Sequence, residues 1–237
     1  MNVLSDKISR KNFILTSMLA GITSIIPEKL LAYSKCKNTT KSINISLGLA
    51  SPIFSFDNFI VHSGNELAFA VANSILKKPA TSYNPFYLYS QTGLGKTHLL
   101  VAMLNELNRI HPDKKICYIT GPEFISDLFK SIKEKKRISF KNKFRNIDIL
   151  LIDDTHDIES NDQSQKELLF IIKNLLSNGG QIVMTSNKYP NKFTDFYESL
   201  TKHFECGLIT NIDPPDIEAR IKILKKRVNH YEHGYTG

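Results

Sequence analysis

The sequence is poor in cysteine, and its cysteines are not arranged for cross-linking or for binding metal. Cys36, Cys117 and Cys206 are odd in number and widely spaced, and no CxxC pair or Cys/His cluster occurs among the 237 residues. Neither a disulfide framework nor a structural zinc site is therefore expected. A reduced, cytoplasmic environment is the predicted localisation.

The sequence also lacks an apolar run long enough to cross a bilayer, and it contains no internal repeat. An uncharged, largely apolar stretch at residues 12–26 follows Lys7, Arg10 and Lys11 but falls short of the roughly 18 residues that a spanning helix needs. Three interpretations stay open: an accessory or partner-binding helix, which we favour, a targeting signal, or an anchor on a membrane surface. No firm membrane partner is predicted.

Acidic residues are fewer than basic ones, 23 against 31, and the resulting formal net charge of +8 favours a polyanionic partner. The composition becomes denser in aromatic residues from residue 51, after a polar stretch at residues 37–51 that is typical of a linker. We therefore predict a helical N-terminal segment and linker of unknown role at residues 1–50, and one folded domain at residues 51–237.

The clearest chemical signal is the stretch SQTGLGKT at residues 90–97. An apolar, aromatic run at residues 86–89 predicts a strand before it, and apolar residues at helical spacing predict a helix over residues 98–110. A strand, a small-residue loop and a helix beginning at Gly-Lys-Thr are the context of a phosphate-binding P-loop. The strict pattern has glycine at position 90, where this chain has Ser90.

In such a loop, backbone N–H groups and the positive end of the helix bind phosphate. Lys96 is expected to reach the β- and γ-phosphates of ATP, and the Thr97 hydroxyl is expected to bind Mg²⁺. The predicted cofactors are ATP and Mg²⁺. The predicted nucleotide-binding residues are Thr92, Gly93, Leu94, Gly95, Lys96, Thr97 and His98.

A second signal is the aliphatic run at residues 149–152, which predicts a buried parallel strand and is followed by Asp153 and Asp154. Ligands of open α/β sheets lie at the carboxyl ends of the strands. We interpret Asp153 as the Walker B acid that holds Mg²⁺ through its water shell, and Asp154 as the base for an attacking water. The alternative is that both aspartates only cap the following helix.

A third signal is Asn187, the polar residue at the end of the strand predicted over residues 181–187. Asn187 is the candidate residue that holds the attacking water or senses the γ-phosphate, the role called sensor 1. The alternative is a simple turn at residues 187–190.

A basic stretch at residues 130–145 contains eight basic residues and one acidic residue, with Phe140 and Phe144 interleaved. Composition alone leaves a solvated helical face and a DNA-contacting surface equally open. The candidate DNA-binding residues are Lys135, Lys136, Arg137, Lys141 and Lys143, with Lys188 further along the chain.

Five segments together resemble the AAA+ ATPase domain of the bacterial replication initiator DnaA family. They are residues 56–61 (FDNFIV), 83–85 (YNP), 93–99 (GLGKTHL), 148–154 (DILLIDD) and 214–220 (PPDIEAR). The resemblance runs in order from about residue 51 to about residue 227. It implies an α/β fold, a P-loop NTPase (AAA+) three-layer sandwich with a parallel sheet. It also implies an ATP-dependent switch that assembles on the replication origin. For the basic stretch, it favours contact with single-stranded DNA over a solvated helical face.

The sequence departs from this family at several points. We expect most of the helical lid and the C-terminal helix-turn-helix domain to be absent, so single-stranded DNA is a more plausible partner than a specific duplex site. The family's arginine finger falls at His203, and histidine lacks the permanent forked charge of arginine. ATP binding is therefore expected to be retained, whereas ATP hydrolysis in trans is expected to be impaired.

The favoured function is that of a DnaA-like protein in DNA replication initiation or its regulation. Self-assembly through the AAA+ domain, or association with DnaA or the replicative helicase, is the corresponding partner hypothesis. The alternatives are an Hda-like regulator, a helicase-loader-like module and an inactive truncated paralogue.

Overall fold

The computed structural model describes residues 54–234, with side chains described as far as Val228. The predictions for the apolar stretch at residues 12–26, for the linker and for a domain boundary at residue 50 lie outside these residues. Within the described range, the strands are β1 (Phe86–Tyr89), β2 (Ile116–Thr120), β3 (Ile149–Asp153), β4 (Gln181–Ser186) and β5 (Leu208–Asn211). The helices are α1 (Glu66–Lys77), α2 (Lys96–Ile110), α3 (Gly121–Lys133), α4 (Arg137–Arg145), α5 (Asp162–Ser177), α6 (Glu198–Glu205) and α7 (Ile217–Gly234).

The strands form one five-stranded sheet in the order β2-β3-β4-β1-β5, and every neighbouring pair is parallel. Parallel neighbours require crossover connections, which the helices supply. All five carboxyl ends therefore lie along one edge of the sheet. β1 lies between β4 and β5, so the loop that follows β1 leaves from the interior of that edge.

Two apolar cores lie on opposite faces of the sheet. Alternate residues of β3 enter different cores: Leu150 and Ile152 pack with α3 to α6, whereas Ile149 and Leu151 pack with α1 and α2. Because both faces are covered, β3 is apolar throughout rather than alternating. The predicted three-layer α/β sandwich is confirmed.

A turn at residues 134–136 separates α3 from α4, and the basic composition of this stretch does not predict it. Lys135 has a φ of 58° in this turn. Helix α3 begins with a capping box, in which the Thr120 hydroxyl accepts from the Glu123 N–H and the Glu123 carboxylate accepts from the Thr120 N–H. The basic stretch at residues 130–145 thus comprises the end of α3, a turn and the whole of α4.

The aromatic residues of the basic stretch belong to the core and not to a DNA-contacting surface. Phe140 and Phe144 are 5% and 2% exposed and pack against Phe124 of α3. An amphipathic helix buries its apolar residues and leaves its charged residues on the other face. Phe140 and Phe144 therefore belong to the core, and DNA contact stays a prediction for the basic side chains alone.

Among residues 54–234, no helix combines the length and apolar character that are needed to cross a bilayer.

Candidate functional site

The P-loop, Asp153, Asp154 and Asn187 lie together at the carboxyl edge of the sheet. The register pairs Tyr89 of β1 with Ser186 of β4, and the Ser90 N–H donates to the Ser186 carbonyl over 3.2 Å. Asn187 therefore follows β4 beside the first residue of the P-loop. β3 is the other neighbour of β4 and ends in Asp153. Three adjacent strands bring these predicted residues to one place.

The P-loop turns at its two glycines. Gly93 has a φ of 86° and Gly95 a φ of 103°, both in a region that L side chains rarely adopt. Gly95 directly precedes Lys96, the first residue of α2. Because the first N–H groups of a helix have no partner within it, the start of α2 presents free donors and a positive dipole end to this loop.

Lys96 is 6% exposed, and its ammonium is held by the loop itself. The Nζ atom donates to the carbonyls of Ser90 and Gln91 over 2.8 and 3.1 Å, and to the Ser90 hydroxyl over 3.3 Å. Burial lowers the pKa of Lys96, whereas the carboxylates of Asp154 and Asp153 act in the opposite direction. Ser90 has no positive φ, so the missing glycine introduces no backbone strain, and its hydroxyl adds one acceptor for Lys96.

Both carboxylate oxygens of Asp153 accept protein hydrogen bonds. The Thr185 hydroxyl donates to Oδ1, and the Tyr118 hydroxyl donates to Oδ2 over 3.1 Å, with Asp153 only 2% exposed. These two partners orient the carboxylate, which fits a residue that holds Mg²⁺ through water. Sequence reasoning missed Tyr118 and Thr185. Both lie on the strands that flank β3, Tyr118 in the middle of β2 and Thr185 near the carboxyl end of β4.

Asp154 follows β3 with a φ of 53°, a conformation that aspartate tolerates better than most residues. Its N–H donates to the Thr185 hydroxyl over 2.9 Å, so one threonine holds both aspartates. The side chain is 42% exposed. Burial and the neighbouring Asp153 raise the pKa of Asp154, while His156 and Lys96 oppose the shift. A raised pKa favours a group that takes up a proton.

The side chains of this edge have the chemistry that Mg²⁺ and phosphate require. Mg²⁺ prefers oxygen ligands and keeps several waters, and the Thr97 hydroxyl and the Asp153 carboxylate are such ligands. Among the described residues, no cluster of three or more His, Cys, Asp or Glu side chains that could hold a metal ion occurs. The Asn187 Oδ1 atom is buried and has no hydrogen-bond partner, so a polar acceptor is available beside the P-loop.

A cavity of about 340 Å³ opens next to the P-loop, and its size falls within the range of small-molecule pockets. Besides the P-loop, its walls come from the segment before α1 and from one face of α7. Sequence reasoning missed most of this lining, although the FDNFIV segment marked part of it. The lining residues that no sequence motif marked include Phe54, Asn65, Ile223, Lys226 and Arg227.

His98 belongs to the wall of this cavity, one turn into α2. Its Nε2 atom lies 3.0 Å from the Ser55 carbonyl, and a carbonyl only accepts, so Nε2 carries a proton. Phe54 and Phe59 each meet the ring edge to face. Burial lowers the pKa of His98, which therefore acts as a neutral packing residue near neutral pH.

The six candidate DNA-binding residues lie on two separate parts of the fold. Lys135 and Lys136 are in the turn before α4, Arg137, Lys141 and Lys143 are on α4, and Lys188 follows β4. Most of them already have acidic partners: Lys136 pairs with Glu134, Arg137 and Lys141 with Glu167, Lys143 with Asp127, and Lys188 with Glu159. Their binding of DNA stays a prediction.

Comparison with known proteins identifies the family. The family model of the bacterial DnaA ATPase domain matches residues 51–211. The chain belongs to this family. A DnaA of Geotalea uraniireducens is 40% identical over 191 residues, which cover 81% of this chain and 42% of the relative. A DnaA of a Thermoanaerobacter species is 37% identical over 231 residues, 96% of this chain and 51% of the relative. The DnaA-family chain thus spans about half the length of the curated relatives it matches.

Solved DnaA structures share the fold. Domain III of the Thermotoga maritima replication initiation protein DnaA aligns with a TM-score of 0.73 at 38% identity and covers 76% of each chain. A replication initiator DnaA bound to AMPPCP and single-stranded DNA aligns with a TM-score of 0.71 at 30% identity, covering 77% of this chain and 56% of that one. The predicted AAA+ sandwich and the resemblance to DnaA are confirmed.

The DnaC helicase loader aligns with a TM-score of 0.60 but at 17% identity, covering 69% of this chain and all of the loader chain that was compared. An identity this low shows a shared fold alone. It gives the helicase-loader alternative no support beyond the common AAA+ architecture.

Proposed function

We propose that this DnaA-family chain binds ATP with Mg²⁺ and acts in the initiation of DNA replication or in its regulation. The observation that carries the proposal is the P-loop at the interior of the sheet edge, with Lys96 held beneath it and a cavity of about 340 Å³ beside it. The triphosphate would lie along the P-loop and the start of α2. The nucleoside would enter the cavity, where Phe59 and the neutral ring of His98 supply apolar walls.

Lys96 would exchange its carbonyl partners for the β- and γ-phosphates, and the residues of the P-loop from Thr92 to Thr97 would supply backbone N–H donors. Thr97 would bind Mg²⁺ directly, and Asp153 would bind it through water. The ion would neutralise the phosphate charge beside two aspartates that otherwise repel the nucleotide.

Single-stranded DNA is the proposed second partner. The exposed basic side chains between Lys135 and Lys143 support this proposal, as does a relative that is 30% identical and carries single-stranded DNA in its solved structure. The net charge of +8 would also attract the negatively charged strand at long range. The proposed contact is with the phosphate backbone, without sequence recognition.

ATP hydrolysis is proposed to be slow in the isolated chain. Asp154 is positioned to take a proton from an attacking water that Asn187 orients. At the position where the resemblance leads us to expect an arginine finger, this chain has His203, and a histidine stabilises the negative charge of the transition state less well than an arginine. The protein would then act mainly through its ATP-bound state.

The test is the affinity of the full chain for a fluorescent ATP analogue, with and without Lys96→Ala. Loss of a charged hydrogen-bonding partner is worth about 1.5–3 kcal/mol, so binding should weaken by at least about tenfold. Lys114→Ala is the matched control, because Lys114 is a surface lysine that pairs only loosely with Asp148. Equal affinity of wild type and Lys96→Ala would refute the proposed nucleotide site.

A further inference from the structure

Glu167 is a buried carboxylate that faces the basic helix α4. It lies on α5, is 3% exposed, and its Oε1 atom is buried without a hydrogen bond. The Arg137 Nη2 atom lies 3.3 Å from Oε2, and the Lys141 Nζ atom lies 3.5 Å from Oε1. One carboxylate of α5 therefore lies within ion-pair distance of two cations that are one turn apart on α4.

The two cations remain partly open to solvent while they contact Glu167. The side chain of Arg137 is 49% exposed and that of Lys141 is 39% exposed. Lys141 also lies over the ring of Phe170, one turn along α5, at 4.5 Å from the ring centre. Long basic side chains of this kind can turn outwards towards a phosphate without moving the helix that carries them.

A third basic side chain of α4 also pairs with a carboxylate of a neighbouring helix. The Lys143 Nζ atom donates to Asp127 of α3 over 2.7 Å. All three α4 cations proposed to contact DNA are thus engaged by carboxylates of neighbouring helices. Lys135, by contrast, has no ion pair within the described part of the chain.

We propose that Glu167 competes with DNA phosphates for Arg137 and Lys141, and thereby sets how tightly α4 binds single-stranded DNA. This inference rests on the proposed contact between α4 and DNA. Each phosphate that binds one of these cations must replace a carboxylate contact. The carboxylate left behind then repels the incoming strand, so Glu167 acts against binding on both counts.

The consequence for charge can be counted. Arg137, Lys141 and Glu167 present a net charge of one to the DNA, whereas the cations alone would present two. The salt dependence of binding to a single strand steepens by about 0.7 in log–log slope for each further phosphate that is neutralised. Removing the charge of Glu167 without changing its shape should therefore strengthen binding and steepen its salt dependence together.

The experiment measures the affinity of the full chain for a labelled oligothymidine, with ATP present, across a series of salt concentrations. Glu167→Gln keeps the size of the side chain and one acceptor for Arg137. We expect it to bind at least threefold more tightly than wild type at low salt, with a slope steeper by about 0.7. A role of Glu167 in merely holding α4 in place predicts weaker binding instead.

Asp162→Asn is the matched control, because it removes one carboxylate from the same helix. Asp162 pairs with Lys166 on the exposed first turn of α5, where the Asp162 side chain is 68% exposed. We expect its affinity and slope to equal those of wild type. If Asp162→Asn strengthens binding as much as Glu167→Gln does, the effect is one of overall charge and the proposal is overturned.

A second variant covers the case in which Glu167→Gln fails to fold, as judged by thermal melting. Asp127→Asn releases Lys143 from a carboxylate that is 39% exposed, and it should also strengthen binding and steepen the slope. If the wild type binds DNA and the folded variants bind it no more tightly than the wild type, the competition alone is overturned. Absence of salt-dependent binding by wild type and all variants overturns the DNA contact and the competition together.

Discussion

The neighbours of Asp154 determine its backbone conformation and its pKa. Its conformation is held by the Thr185 hydroxyl, which also donates to Asp153. Burial disfavours the ionised side chain of Asp154, and the neighbouring charge of Asp153 adds to this cost, so the pKa of Asp154 is raised. The site thereby gains a potential base at the expense of stability.

Asp154→Asn should increase the stability of the protein at pH 7 and leave ATP binding intact. A carboxyl with a raised pKa destabilises the folded state fully above that pKa, and the effect disappears below the unfolded value of about 3.9. Since the side chain is 42% exposed, solvent screening limits the expected gain in free energy of unfolding to less than about 1 kcal/mol. Urea denaturation of both proteins from pH 7 to pH 4 measures the difference.

The gain should shrink as the pH falls through the raised pKa of Asp154. Asp113→Asn, in the exposed turn after α2, is the control for loss of a surface carboxylate and should change stability by less than about 0.5 kcal/mol. Any ATP turnover of the wild type should be lost in Asp154→Asn. Undiminished turnover would contradict the assignment of Asp154 as the base.

At the scale of elements, α4 is the part of the fold whose two faces have different roles. Phe140 and Phe144 join the core beneath the sheet, while Arg137, Lys141 and Lys143 face the carboxylates of α3 and α5. The helix is only 9 residues long and strongly basic, so packing and not intrinsic propensity maintains it. Its apolar face is therefore essential to folding.

Phe140→Ala should lower the free energy of unfolding by about 3 kcal/mol, because it leaves a cavity between α3 and α4. Chemical denaturation measures the loss. Ile138→Ala is a control on the same helix: Ile138 is 77% exposed, and a surface substitution should change stability by less than about 0.5 kcal/mol. Equal, small effects of both substitutions would show that Phe140 is not a core residue.

At the scale of the whole molecule, the relevant residue is His203, where the resemblance to DnaA leads us to expect an arginine finger. His203 lies on α6. His203 is partly exposed there, and its Nδ1 atom lies 2.6 Å from the Ser199 carbonyl. We propose that this part of α6 contacts another copy of the chain, since an arginine finger can be supplied in trans.

His203→Arg should raise ATP turnover by at least about tenfold, and the gain should increase with protein concentration because the residue acts in trans. Steady-state hydrolysis at several protein concentrations tests this expectation. Lys202→Arg, at the adjacent exposed position that pairs with Glu198, should leave turnover unchanged. Turnover that stays at the wild-type level at all concentrations would show that assembly does not bring α6 to a neighbouring site.

The sequence by itself determined the succession of the five strands along the chain, the P-loop and the two aspartates after β3. These features depend on local chemistry: apolar runs form buried strands, glycines allow the tight turn, and Gly-Lys-Thr begins a helix. Because parallel strands end at one edge, it also followed that Asp153, Asp154 and Asn187 should lie near Lys96.

Only the tertiary structure decided which partners each side chain has. Tyr118 and Thr185 are distant from Asp153 along the chain, and Glu167 is distant from Arg137, so no local pattern could reveal these contacts. The same holds for Phe140, whose place in a basic stretch concealed that it packs against Phe124. Burial and pairing depend on how helices pack across the sheet, and this packing is what assigns a lysine to a carboxylate, to a phosphate or to solvent.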